Sequence, residues 1–570
     1  MSSDDPSATA PDTANPRATA GYALVLLAGA VVLFPALGAP GLWDPWEATY
    51  AEAAREMRER GSLFVPYFAG EVRLVEPPLV YWGVLLGSAA LGATELGARV
   101  GGACLALAAM LCVCYVVSRL RGTRAGVLSA LVLGSCPLFY MLARQATPDI
   151  YLACTAGSSL LFFCLAISRD DGRRRLHCVA GGIGLALALL ARGPLLAVAS
   201  VIVPLALFAL TRSGIGVEHP GSAAGDGTRF PMRRPWRGVV LVALLVAALA
   251  GPWYAGAMAL HGSPGDLLLA FQPAPEAPSQ GDVFGYYLRG WIFGFFPWSC
   301  FLPLVPAILA AASTRRAAGF EGCLLASAVA SFLLVNSSEA RFPQSLAVVG
   351  VPAAVLLGLT IDRIAGLARG GGARLAWAAA ALLYLPPMTD LLRARGLKYL
   401  FNSFTFERDL PPDFVPGNAF ALLLLSGLAL LLLSVLLHSR LLVGAFVALA
   451  VVLATFNGAR VGPAVGAEKT MREMCRAWSR EPGAGPLGVY GELSPSLRYY
   501  SAGRAVLLAS PKDFMEHMAP GSTAFAIVTK EQLVPVDTAY RRQYAGHRLH
   551  VIDRSRRDFI LLGNHPPGAP

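Results

Sequence analysis

Stretches of apolar residues long enough to cross a bilayer recur from Tyr22 nearly to Phe456, and nothing else in the chain limits its fold so tightly. Inside hydrocarbon a backbone must satisfy its own amides and carbonyls, so runs of this length become helices. With 55% hydrophobic and 15% charged residues, the chain reads as a polytopic membrane protein. The first span, Tyr22 to Leu37, follows a polar leader, residues 1–21, which reads as disordered and cytoplasmic. The span itself reads as an uncleaved anchor rather than a signal peptide. The net charge of +11 comes largely from arginines in short loops: Arg119–Arg124, Arg169–Arg175, Arg212–Arg237, Arg315–Arg316, Asp362–Arg374 and His438–Arg440. Helix-length apolar segments lie in pairs between them, which places every basic loop on the cytoplasmic face and calls for no nucleic-acid partner.

The segment Pro78 to Leu91 is apolar but only about 14 residues long, short of the ~20 that a span needs. Laid in the interface, it leaves about thirteen spans, with the N-terminus inside and the C-terminus outside. The expected fold class is therefore an all-α polytopic membrane protein, with a transmembrane domain over residues 22–458 and an outer-face loop over 43–94. From about residue 459 to 570 the composition turns polar and mixed, the sign of a soluble periplasmic domain. Glu468–Trp478, Ser494–Tyr500 and the Pro511–Met518 segment after a Ser510 cap read as helices. Leu487–Tyr490, Ala505–Ala509, Ala524–Thr529 and Asp558–Leu562 read as strands. Together they predict a small α/β sandwich on the outer face. Of ten cysteines, nine lie in or beside apolar spans and read as packing, so neither a disulfide nor a metal site is indicated.

Charge then gathers on that outer face: loop 1, Arg144–Asp149, Arg192–Pro194, His261–Arg289 and Ser337–Pro343. Loop 1 carries the run LWDPWEATYAEAAREM, Leu42 to Met57, with Asp44, Glu47, Glu52 and Glu56 at the lip of the membrane. Carboxylates are costly near hydrocarbon unless they face water, a partner or a substrate. Asp44, Glu47 and Asp149 are the candidate general bases, since a hydroxyl nucleophile must lose its proton as it attacks. Glu47, Glu52 and Glu56 also fit a solvated helix face, with Arg55 a partner for Glu52 and Arg60 for Glu56. Asp149 also fits the first turn of a helix. Arg192 and Arg341 interrupt apolar sequence and offer the planar donor fork that suits phosphate; the alternative is snorkelling, or for Arg341 a pair with Glu339. Tyr286–Tyr287 and Phe295–Trp298 read first as an interfacial aromatic belt and second as a lipid or sugar contact. Gly181, Gly182 and Gly184 sit inside a span and read as helix packing, with no nucleotide-binding loop among them.

The motifs WDPWEATYAEAAREM, VEPPLVYW, RQATPD, LARGP, FGYYLRGWIFGFFPWS and SSEARFP stand in the order seen in family 39 glycosyltransferases, and the chain resembles that family over roughly Leu42 to Val351. These are polyprenyl-phosphate-sugar-dependent enzymes of the GT-C fold, including aminoarabinose transferases that modify lipid A and protein O-mannosyltransferases. The resemblance implies a GT-C-like helical domain in a bacterial inner membrane. A sugar would arrive on a polyprenyl phosphate in the outer leaflet, and an acceptor hydroxyl or phosphate oxygen would attack its anomeric carbon. The acceptor would be a lipid A-like glycolipid, a protein or another envelope molecule. A loop 1 carboxylate would assist, and basic residues would hold the leaving lipid phosphate. By motif position Asp149 matches the second family carboxylate, Arg192 the basic residue of a KGP-like motif, and Arg341 the lysine of a GKLP-like motif.

The chain departs from the family pattern W-x-P-D-E-x-R-Y-A-E, having Trp46 in place of the Asp and Thr49 in place of the Arg. It also has Glu76 in place of the Lys of K-P-P. The expectation is that Glu47 or Asp44 takes the base role and that Trp46 offers a ring to a sugar. Arg192, Arg341, Trp46, Glu76, Arg144, Tyr286 and Tyr287 are the expected binding residues. No His-rich or paired-carboxylate metal spacing stands out, so no cofactor is expected, and a divalent metal is neither called for nor excluded. The rival readings are a flippase or other transporter of lipid-linked glycans, which would place polar groups at mid-membrane, and a family member that no longer catalyses.

Overall fold

The computed structural model describes residues 16–169, 172–213, 235–261, 283–310, 315–337, 343–368, 370–393 and 417–568. Among these, nine helices are long and apolar enough to span a membrane, and three bent pairs raise the number to twelve. Two shorter apolar helices, Leu79–Leu91 and Pro194–Ala209, stand beside them. The protein is thus a multi-pass membrane protein with about the expected number of spans. The outermost helices show why lipid is their solvent: Leu422 and Leu436, on the leucine-rich helix Asn418–Leu437, are 64% and 72% exposed.

The helices that frame loop 1 are α1 (Pro16–Leu33), α2 (Trp46–Glu59), α3 (Leu79–Leu91) and α4 (Glu95–Arg121). They are followed by α5 (Thr123–Ser135), α6 (Pro137–Ala143), α7 (Pro148–Ser168) and α8 (Arg174–Arg192). The segment judged too short to cross is α3, 13 residues long. It is held by close backbone approach: a β-carbon at Gly87 would stand 2.0 Å from the Gly97 carbonyl oxygen on α4. Only glycine permits that spacing. Gly181 and Gly184 play the same part between α8 and α7, facing Phe163 and Ser159.

A two-stranded hairpin, β1 (Tyr67–Phe68) with β2 (Glu71–Val72), closes loop 1 before α3. At the opposite end of the bundle Glu321 is fully buried between Arg121 and Arg363, whose guanidinium groups donate at 2.8–3.0 Å. This triad ties three spans together, and losing one member would strand a buried charge.

The tail forms one mixed five-stranded sheet. Its strands are β3 (Leu487–Tyr490), β4 (Ala505–Leu508), β5 (Phe525–Thr529), β6 (His550–Asp553) and β7 (Phe559–Gly563), in the order β4-β3-β5-β7-β6. β3 runs parallel to β4 and β5, while β7 is antiparallel to β5 and β6. Four strands fall where alternation predicts them, and Ser510 makes the expected cap as a full capping box with Asp513. The helix expected from Glu468 begins only at Arg472, because the last span runs on as helix to Ala467. Helix Leu533–Gln543 and strand β6 had no reading in the sequence.

Candidate active site

Loop 1 folds over the end of the bundle, and the four acidic residues of its run Leu42 to Met57 are buried. Glu47, 1% exposed, accepts from Arg99 at 2.6 Å and the Ala146 amide at 3.1 Å on Oε1. On Oε2 it accepts from Arg99 at 2.8 Å and the Trp43 amide at 2.9 Å. A carboxylate has about four lone-pair sites, and all are used. Arg99, also 1% exposed, spends its remaining donors on the Leu37, Pro40 and Gly41 carbonyls. The base role expected of Glu47 therefore does not fit its geometry: this ion pair welds loop 1 to the start of α4.

Asp44 is spent in a different way. Its Oδ1 accepts the Ser496 amide at 2.7 Å and its Oδ2 accepts the Ser496 hydroxyl, from the tail. That leaves it equally poorly placed to take a proton from an acceptor. Glu52 pairs with Arg55 at 2.7 and 2.8 Å, the helix-face partner the spacing predicts. Glu56 instead accepts the Ala69 and Gly70 amides at 2.8 and 3.0 Å, holding the turn of the β1–β2 hairpin. Its expected partner Arg60 stacks over the Tyr67 ring, 4.3 Å away.

A second cluster lies where α2, the stretch before α3, and the ends of α7 and α8 meet. Asp149, at the first turn of α7, pairs with Arg192 at the last turn of α8; Asp149 is buried and the Arg192 side chain is 9% exposed. Glu76, 3% exposed, accepts from Tyr50 at 2.7 Å and Tyr81 at 3.4 Å, with Arg73 at 3.5 Å. The two groups adjoin: Glu76 acts electrostatically on both Asp149 and Arg192, and Arg192 acts on Tyr50. Burial first, then the Glu76 charge, holds the Tyr50 phenol well above its ordinary pKa, so it is a neutral donor. Two buried carboxylates and two part-buried guanidinium groups thus share one corner.

Nearby polar atoms lack partners. Thr147, Gln344 and Ser345 are 2–4% exposed, and a side-chain oxygen of each meets no hydrogen-bond donor or acceptor. Helices 148–168 and 344–366 run in the same direction, with Gly157 packed on Val351, so Gln344 and Ser345 lie at about the depth of Asp149. Unsatisfied buried oxygens are costly and mark places that water or a ligand completes.

The other expected residues divide. Arg341 and its alternative partner Glu339 lie outside the described residues. Arg144 donates to the Val32, Leu33, Pro35 and Gly458 carbonyls at 2.7–3.2 Å, capping the end of α1 and fastening it to the last span. Trp46 is half-buried at the start of α2. Tyr287 is buried and Tyr286 half-buried, their rings edge-to-face at 5.4 Å. Phe295, Phe296 and Trp298 are core residues at a 118° bend, with Trp298 donating to Ser135, and so do not form the belt read from sequence. Tyr50, Tyr81, Arg73 and Arg99 were missed. Arg73, three residues before Glu76, was within reach of a spacing argument; Arg99, 52 residues from Glu47, was not. Among the described residues no group of three or more His, Cys, Asp or Glu could hold a metal ion.

Residues 75–219, which contain Glu76, Asp149 and Arg192, match the family described as dolichyl-phosphate-mannose-protein mannosyltransferase. An undecaprenyl phosphate-alpha-4-amino-4-deoxy-L-arabinose arabinosyl transferase of Edwardsiella ictaluri is 28% identical over 356 residues, 60% of this chain and 59% of that protein. The crystal structure of ArnT from Cupriavidus metallidurans bound to undecaprenyl phosphate superposes with a TM-score of 0.69 at 20% identity, covering 97% of this chain and 99% of that one. The archaeal oligosaccharyltransferase AglB from Archaeoglobus fulgidus follows at a TM-score of 0.52 and 13% identity, covering 90% of this chain and 70% of that one. The motif resemblance therefore has support at two levels: the chain has the GT-C fold of these solved structures, and residues 75–219 match the mannosyltransferase family model, while the chain spans about three fifths or less of the curated relatives it matches.

Proposed function

We propose that the protein transfers a sugar from a polyprenyl-phosphate donor to an acceptor at the loop 1 end of the bundle, on the outer face of a bacterial inner membrane. In this reading the N-terminus is cytoplasmic, residues 22–458 are the transferase domain and residues 459–570 are periplasmic. The observation that carries the reading is the Asp149–Arg192 pair beside the buried Glu76, at the rim, in a chain with this fold. Arg192 is the donor-phosphate ligand, with Arg341 as a second cation by motif position. The monoanionic phosphodiester of the donor competes with Asp149 for the Arg192 fork. Donor binding thus draws Arg192 from Asp149 and frees a carboxylate oxygen as the charge beside it is neutralised.

Asp149 then takes the proton of the acceptor hydroxyl while that oxygen attacks the anomeric carbon. The bond from that carbon to the phosphate oxygen breaks, and polyprenyl phosphate leaves with both electrons, its charge held by arginine. Glu76, fixed by Tyr50, Tyr81 and Arg73, and the open oxygens of Thr147, Gln344 and Ser345 suit the hydroxyls of a sugar. Trp46, Tyr286 and Tyr287 are left as ring contacts for donor or acceptor. A lipid A-like glycolipid is the leading acceptor class, as the motif resemblance to the aminoarabinose transferases implies.

The test is transfer of radiolabelled sugar from a mixed pool of polyprenyl-phosphate sugars in membranes holding this protein, compared with Asp149→Asn and Arg192→Ala. Label passing to a lipid or protein fraction, and lost in both variants, supports the reading. Full transfer by Asp149→Asn would remove Asp149 from the base role. No transfer from any donor by folded wild-type protein would overturn the glycosyltransferase reading.

A further inference from the structure

The tail and the start of loop 1 are stitched together along residues 39–44. The Ala39 carbonyl accepts from Arg472 at 2.9 Å. The Leu42 amide donates to the Tyr500 hydroxyl at 2.8 Å, and that hydroxyl donates to Glu95 at 3.0 Å. The Asp44 amide donates to the Lys469 carbonyl at 2.8 Å. Both Asp44 carboxylate oxygens are held by Ser496, whose hydroxyl also accepts the Met471 amide at 3.1 Å. Arg472 reaches the same Glu95 at 3.1 Å, so the base of α4 joins the seam. Asp44 and Ser496 are 6% and 0% exposed.

Tyr499 and Tyr500 also pack against the small apolar cluster around Leu42, Ala48 and Ala51, so the seam has apolar as well as polar contacts. What it does is fix position, because a charged acceptor with both oxygens engaged tolerates little displacement. Two residues past Asp44, α2 begins, and its first turns carry Tyr50 against Glu76.

We infer that Ser496 and Tyr500 of the tail are positioning residues: they set the start of α2, and through Tyr50 the placement of Glu76 in the transfer site. This rests on the function proposed above. The tail then serves as a brace whose contacts tune turnover, and Asp44 is its anchor point.

The experiment uses full-length protein in lipid nanodiscs and reads two quantities for Ser496→Ala and Tyr500→Phe. Amide hydrogen exchange of residues 42–59 is expected to quicken about tenfold, since each loses a buried hydrogen bond at the seam. Sugar transfer is expected to lose about tenfold in kcat with the donor KM within about twofold, the pattern of a misplaced reacting group. Ser496→Thr, which keeps the hydroxyl, restores both. Ser510→Ala, which removes the capping box of a tail helix elsewhere, changes neither. Unchanged exchange in Ser496→Ala and Tyr500→Phe overturns the brace, and so does quickened exchange with unaltered kcat. A wild-type protein that transfers no sugar counts against the proposed function alone, because the exchange measurement still decides whether the tail holds loop 1.

Discussion

Two buried clusters of opposite charge sit at the same end of the bundle, and they are built to different rules. Around Glu47 and Arg99 the accounting closes, with four donors on one carboxylate and three carbonyls on the guanidinium besides. Around Asp149, Arg192 and Glu76 like charges adjoin as well as opposite ones, and the neighbours Thr147, Gln344 and Ser345 hold oxygens without partners. A closed cluster resists any change of partner. The other has partners that a phosphate can take and oxygens that a sugar can fill. Burial and charge alone do not separate structure from chemistry; unspent hydrogen-bonding capacity does.

The comparison breaks most readily at Asp149. Asp149→Asn is expected to lower transfer roughly 10²–10⁴-fold while leaving the protein folded, measured as initial rate per folded molecule. A loss below about threefold would move the base elsewhere. Arg99→Ala is expected to do the reverse, destabilising the protein by about 3–5 kcal/mol because Glu47 is left charged and unpaired in the interior. Thermal unfolding in detergent checks this against wild type. Glu47→Gln sharpens the contrast. It keeps the shape but turns an acceptor towards donors, costing about 1–3 kcal/mol of stability, with kcat per folded molecule within about twofold of wild type. A collapse in kcat at unchanged stability would restore Glu47 as a base.

The sequence made the spans legible because lipid imposes a length and a polarity on every one of them. The tail strands were legible through alternation, and the Ser510 cap through local chemistry. The acidic run of loop 1 was correctly marked as unusual, yet its meaning lay elsewhere. Glu52 found Arg55 one helical turn away, as spacing allows. Asp44 found Ser496 across 452 residues, and Glu47 found Arg99 across 52, and no periodicity encodes such pairs. Asp149 and Arg192 were each picked out singly, as charges that interrupt apolar sequence; that they meet is a fact of how α7 packs on α8.

The smallest expected effect belongs to Tyr50→Phe, and it tests whether the phenol belongs to the open cluster or only to its support. Burial and the Glu76 charge raise the phenol's pKa in the folded protein. The folded state therefore binds this proton more tightly than the unfolded chain does. Its contribution to stability is fully present below about pH 10, the unfolded value, and is lost as pH rises beyond it. Wild type should lose stability above about pH 10 more steeply than Tyr50→Phe, which has no such proton to release. At neutral pH the variant loses one hydrogen bond to a carboxylate, and transfer should fall about fivefold to tenfold. Because Tyr50 stays protonated across the working range, the substitution should leave both limbs of the pH–rate profile where they were. A limb that vanished with Tyr50 would mean that the phenol, and not Asp149, exchanges a proton with the acceptor.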